Sequence, residues 1–157
     1  MLLQLTKNNG KPHIIKYIRD NGTETWMYSD DFFIRHDLSH YAIEKTLGYT
    51  TAFNGMLNNG MEIKDFEDPE KRMAMQLTEE AFYAENMANL FLMEIAQGNL
   101  DDFNTVQQAA FESLGIQFPK ITLAGGKINE IRSYLRKLLK QWNELPTGET
   151  IELSISL

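Results

Sequence analysis

His36 and His40, two of the three histidines in the chain, stand four residues apart with Asp37 between them and Glu44 four further on. On a helix this spacing stacks both imidazoles and the Glu44 carboxylate on one ridge, each a turn above the last. Two nitrogen donors and a carboxylate are part of the coordination shell that zinc or iron accepts. The form H-D-x-x-H is one methylene short of the zincin pattern H-E-x-x-H, whose glutamate acts as general base on metal-bound water. Asp37, with its shorter reach, stands as the group that handles the proton or as one that orients a ligand from behind. The same spacing also occurs in helices whose histidines are hydrogen-bonded core residues, and that reading stands beside the metal one.

The helix that must carry these groups is well marked. Asp30-Asp31 suits an N-cap and an acidic first turn, and Gly48 suits the C-terminal end. His36, His40, Ile43 and Leu47 share a face with Phe33 beside them, while Ile34, Leu38 and Tyr41 make the opposite side apolar as well. A helix apolar on two sides is expected at the centre of the fold.

A third ligand has to come from elsewhere. Glu44 is on the same ridge, which diverges from an ion already held by two of its side chains. Glu85 lies on a helix expected from about Met75 to Ala96, at the edge of a face formed by Leu77, Ala81, Ala84, Ala88, Phe91, Leu92 and Ile95. The alanines would let a second helix come close, and a solvent-boundary carboxylate is the plainer reading of Glu85. His13 is expected on a strand, exposed. An HD-type phosphohydrolase centre on His36-Asp37 would need a further histidine on an upstream helix, which His13 does not supply.

Around these elements the chain reads as follows. Residues 2 to 6 form a short strand. His13–Asp20 and Thr23–Ser29 flank Asn21-Gly22, which predicts a type I′ hairpin with Tyr17 facing Trp26 and Ile15 facing Tyr28. A short helix lies within residues 49–61, and Ile63–Lys71, acidic and containing Pro69, reads as a loop. A helix runs from Asp101-Asp102 to Leu114. The last helix, from about Lys127 to Leu145, places Ile128, Ile131, Leu135, Leu138 and Trp142 on one stripe. Thr150–Leu157 alternates strictly and predicts a half-buried strand. The expectation is a single α+β domain over 1–157, with a small antiparallel sheet (N-terminal hairpin plus C-terminal strand) packed against about four helices.

The totals exclude several classes. With 157 residues, 43% of them hydrophobic, the chain is long enough for a real core. A net charge of −7 argues against general nucleic-acid binding. The absence of cysteine removes disulfides, thiolate metal sites and a cysteine nucleophile. No apolar run reaches the roughly 18 residues of a membrane span, and Met1–Thr6 is too short for a signal peptide, so a cytoplasmic protein is expected.

His36-Asp37-Leu38-Ser39-His40-Tyr41-Ala42-Ile43-Glu44 resembles the H-D-L-x-H-Y-x-x-E stretch of a family of small, uncharacterised bacterial proteins. Leu47-Gly48-Tyr49, Phe53-Asn54-Gly55 and the closing Trp142–Glu149 segment are similar as well. That resemblance reaches from the histidine helix to the C-terminus and implies no activity. A more distant one is to ubiquinone-biosynthesis scaffold proteins, in which H-D-x-x-H is followed after eleven residues by a glutamate ligand. His36, Asp37 and His40 match it, but Ala52 stands where the glutamate belongs, which leaves the third ligand unplaced.

Two functions of different class follow. One is a divalent metal site on His36 and His40, completed by Glu85 or Glu44 and supporting metal-assisted hydrolysis with Asp37 or Glu85 handling the proton. The other is a non-catalytic module that meets a small molecule or protein partner through its aromatic hairpin or through the basic ridge Arg132, Arg136 and Lys140. Gly125-Gly126-Lys127 offers free helix amides to an anion, without the full phosphate-loop pattern.

Overall fold

In the computed structural model, which describes residues 1–157, the N-terminal alternation becomes β1 (Leu2–Thr6), followed by β2 (His13–Ile18) and β3 (Glu24–Ser29). The C-terminal segment supplies β4 (Thr150–Ser154), which ends before Leu157. The sheet order is β3-β2-β1-β4, with every neighbouring pair antiparallel. Leu3, Leu5, Ile15 and Tyr17 point from the two central strands into a core of 27 buried residues.

The hairpin register differs from the expected one by a residue. Arg19 N–H donates to Thr23 O at 2.8 Å and Gly22 N–H to Arg19 O at 2.9 Å, which closes a loop of Asp20, Asn21 and Gly22. Only Gly22 has positive φ (84°); Asn21 does not, although a type I′ turn requires it at both central positions. Asn21 instead accepts at Oδ1 from the Thr23 N–H (3.0 Å) and the Thr23 hydroxyl (2.7 Å). The longer loop pairs Tyr17 with Thr25 and Ile15 with Met27. Because strand side chains alternate, this one-residue shift sends Trp26 and Tyr28 to the outer face. There they are 54% and 59% exposed and meet each other edge to face.

Six helices follow β3: α1 (Asp31–Leu47), α2 (Phe53–Asn58), α3 (Pro69–Ala74), α4 (Glu79–Gln97), α5 (Phe103–Ser113) and α6 (Gly125–Glu144). Four are substantial, and the fold is α+β. A short 3₁₀ helix, Ile63–Phe66, precedes α3. These two replace the expected loop over Ile63–Lys71. Asp68 caps α3, accepting from the Glu70 and Lys71 N–H groups, and Pro69 occupies the first turn, where its missing N–H costs nothing. The long helix begins at Glu79 rather than Met75, because Thr78 is its N-cap. Leu77 therefore lies outside it, and Ile95 faces solvent.

The central helix is α1. Asp30 Oδ1 accepts from Phe33 N–H, and Gly48 closes the helix in the left-handed conformation (φ 71°). Every residue from Asp37 to Glu44 is buried, since α4 and α6 pack on α1 and the sheet reaches it through Tyr17 and β4. On α4 the facing positions Ala81, Ala84 and Ala88 are buried, and their small side chains let the two helix backbones approach.

Candidate metal centre

That close approach carries Glu85 to the histidine ridge. Its Oε2 lies 3.0 Å from His40 Nε2 and 3.4 Å from His36 Nε2. One ligand atom from each of the three residues falls within 4.8 Å of the others. Ligands at about 2.0–2.2 Å from a tetrahedral zinc stand a little over 3 Å apart, so one ion fits with small side-chain adjustments. Two histidines and a carboxylate with the remaining positions open is also the donor set of non-haem iron sites.

Glu44 lies behind His40 and outside this cluster. Its Oε1 is 3.0 Å from His40 Nδ1, and its Oε2 accepts from Asn54 N–H (2.9 Å) and Asn54 Nδ2 (2.8 Å). A carboxylate on Nδ1 fixes the ring and leaves Nε2 to face the site, the arrangement that second-sphere carboxylates give metal-bound histidines. Beside Asn54, Gly55 lets the chain pack close: a Cβ there would lie 2.0 Å from the Thr50 carbonyl oxygen. On the other side, Asn89 Nδ2 donates to Glu85 Oε1 at 3.1 Å and anchors the third carboxylate. Asn54 and Asn89 were not singled out by sequence reasoning. The one trace of Asn54 was the Phe53-Asn54-Gly55 stretch of the bacterial resemblance, because its role depends on a contact ten residues away.

Asp37 turns toward the sheet, where Tyr17 Oη donates to its Oδ2 at 3.0 Å. It does not line the cavity described below. Burial drives its carboxyl upward, the neighbouring imidazoles and Tyr17 oppose the shift, and the result is about 6. Burial also raises the Tyr17 hydroxyl well above its ordinary value, reinforced by the Asp37 charge. For His40, burial disfavours the imidazolium, but hydrogen bonds and charge from Glu44 and Glu85 outweigh it and push the ring up to about 10. Burial alone would raise Glu85; His36 and His40 reverse the effect and hold it well below the usual carboxylate range. The pattern is that of a proton held where a cation is favoured. His13 is remote from the cluster: it accepts from Asn8 N–H and packs edge-on against Trp142.

A cavity of about 470 Å³ opens on His40 and Glu85. Phe53, in contact with the His40 ring at 5.1 Å, forms part of its wall. The remaining wall is mainly methionine and aliphatic, from α2, the 3₁₀ helix, α3 and the start of α4.

The basic ridge is not free along its length. Arg132 binds Glu94 with Nη2–Oε1 at 2.6 Å and Nε–Oε2 at 2.9 Å and donates to Leu100 O. Arg136 donates to Asn99 Oδ1. At the start of α6, Lys127 is bound to Thr46 O and Glu130. No helix is long and apolar enough to cross a membrane. Compared with known protein families, curated proteins and solved structures, the chain matches none.

Proposed function

We propose that His36, His40 and Glu85 hold a divalent ion, zinc or iron, and that the site carries out metal-assisted hydrolysis of a small-molecule substrate admitted through the adjoining cavity. The observation that carries this reading is the convergence of three ligand atoms within 4.8 Å, from two helices, two of them, on His40 and Glu85, at the wall of a cavity. Supporting it, His40 is oriented from behind by a buried carboxylate, more support than a plain core histidine requires.

An ion here would polarise a carbonyl and make water a nucleophile near neutral pH. The chain's own groups divide the remaining tasks. Glu85 offers Oε2 to the ion and keeps Oε1, which also accepts from Asn89 Nδ2, to accept the proton that water loses on attacking the carbonyl carbon. That proton leaves with the departing alcohol or amine as its bond to carbon breaks, so hydrolysis balances. Asp37 touches neither cavity nor ligand atoms; it acts through charge, opposite two imidazoles.

Elemental analysis of untagged protein tests the reading. One zinc or iron per chain in wild type, with loss in His40→Ala and Glu85→Gln, supports it. Folded wild type that stays metal-free after incubation with zinc, iron and manganese removes it. The second reading, a non-catalytic module, is favoured by four exposed aromatic rings, Trp26, Tyr28, Phe32 and Phe33. It expects the histidine variants to change no metal content and an aromatic variant to abolish partner binding.

A further inference from the structure

The cavity has a composition of its own. Met56, Phe66, Met75 and Leu77 line it, and apart from His40 and Glu85 its one charged wall residue is Arg72. A volume of about 470 Å³ is within the roughly 300–1,000 Å³ of small-molecule sites. Methionines make a wall that adapts to a flexible hydrocarbon better than one built of rigid rings.

Two further observations say what such a ligand carries. Helix α3 buries none of its residues, and Met73, which lines the cavity, is 88% exposed. Arg72 beside it lines the cavity and forms no ion pair or side-chain hydrogen bond, whereas Lys71, its neighbour, is bound to Asp65. A guanidinium without a partner, solvent-exposed in a wall whose other charged groups are His40 and Glu85, is complementary to a ligand anion.

Resting on the metal reading above, we propose that the cavity takes an aliphatic carboxylate: the acyl product, or the acyl part of the substrate, of the site at His36, His40 and Glu85. The hydrocarbon chain occupies the methionine-lined wall and covers Met73. The carboxylate lies at the His40–Glu85 end, drawn by the ion, with Arg72 in the same wall to complement its charge. A chain of this kind makes the substrate an acyl ester or amide with a long apolar acyl group.

The test is calorimetric titration of zinc-loaded protein, with zinc content measured in every sample, using decanoate, butyrate and decanol as probes. Decanoate is expected to bind at least about tenfold more tightly than butyrate, since each added buried methylene favours association. It is also expected to bind more tightly than decanol. Arg72→Gln is expected to weaken decanoate and leave decanol unchanged. Met73→Glu, at an exposed position that tolerates a polar side chain, is expected to weaken decanoate with zinc content unaltered. Zinc-loaded protein that binds decanoate no better than butyrate overturns the proposal and leaves the metal site standing. Equal decanoate affinity in wild type, Arg72→Gln and Met73→Glu does the same. A wild type that takes up no zinc overturns the metal reading, and the acyl proposal falls with it.

Discussion

His40 and Glu44 are joined Nδ1 to Oε1 at 3.0 Å in a position almost sealed from water, so one imidazole nitrogen is committed and only Nε2 faces the cavity. Glu44→Gln keeps the shape but presents an amide to the two Asn54 donors and the ring. It is expected to lower metal affinity about 10- to 100-fold, as changes behind a ligand typically do. Competition titration against a chelator of known affinity measures this. The same variant should lose roughly 1–3 kcal/mol of stability, from strained buried polar groups, in urea melts.

Metal uptake should release a proton. Metal-free His40 keeps its proton up to about 10, and an ion can bind Nε2 only after displacing it. Affinity should therefore fall about tenfold for each pH unit below that value while one proton is exchanged. Titration at pH 8 in two buffers of different ionisation enthalpy should report about one proton released per ion. For stability of the metal-free protein the sign is opposite. A raised histidine pKa contributes stability that is complete below about 6.5 and lost as pH climbs toward 10. A melting temperature that rises through that alkaline window would contradict the His40 assignment.

Gly55→Ala separates a required glycine from an optional one. Its Cβ would stand 2.0 Å from a backbone oxygen, so α2 must shift and carry Asn54 off Glu44. A cost of roughly 1–3 kcal/mol is expected from the overpacking, with weakened metal binding alongside. Gly126→Ala, where a Cβ meets nothing, should be neutral or stabilise α6 by up to about 1 kcal/mol. Thermal melts of the two variants side by side decide this.

The hairpin loop gives a fourth test. Gly22 carries the only positive φ in the turn, so Gly22→Val should destabilise by about 1 kcal/mol or more. Trp26→Ser, on the open outer face, should change stability by no more than about 0.5 kcal/mol. Tyr17→Ala, in the core against Asp37, should cost roughly 3–5 kcal/mol, on the scale of other large aromatic truncations. Equal losses for Trp26→Ser and Tyr17→Ala would restore the register in which the two rings face each other.

What was legible in the sequence was local. Asp30 and Gly48 mark the ends of α1 because caps act within a turn of themselves, and the α6 stripe needs only the helical period. The hairpin register is not legible in the sequence because it depends on one backbone angle at Asn21, a residue type that adopts either sign of φ. Helix α3 is hidden in the sequence although Asp68-Pro69 is a helix-start pair: its acidic, Pro-containing surroundings resemble a loop, and none of its residues is buried to set a period. In the site, the histidine spacing is a property of one helix, while the approach of Glu85 depends on the packing of α4 against α1. The alanines hinted at that packing. Nothing in the order of residues signals that Asn54 holds Glu44, or that Arg132 folds back onto Glu94 instead of joining an open basic ridge.

His40 and Glu85 are 45 residues apart, and the chain between them runs through α2, the 3₁₀ helix and α3, which supply most of the cavity wall. An ion that joined α1 to α4 would fasten both ends of that excursion, whose middle is tied to the sheet by Arg19 at Leu57 O, Met61 O and Glu62 and by Thr25 Oγ1 at the Ile63 N–H. Closing a flexible loop costs free energy that rises only with the logarithm of its length, about 0.6 kcal/mol per doubling. Residues gained or lost between Glu67 and Leu77, none of them buried, should therefore pass little strain to His40 and Glu85. On the proposed reading, then, the groups that hold the ion come from α1 and α4 while Phe66, Pro69, Arg72, Met73, Met75 and Leu77 of the cavity wall come from the stretch between them, so that wall can vary on its own.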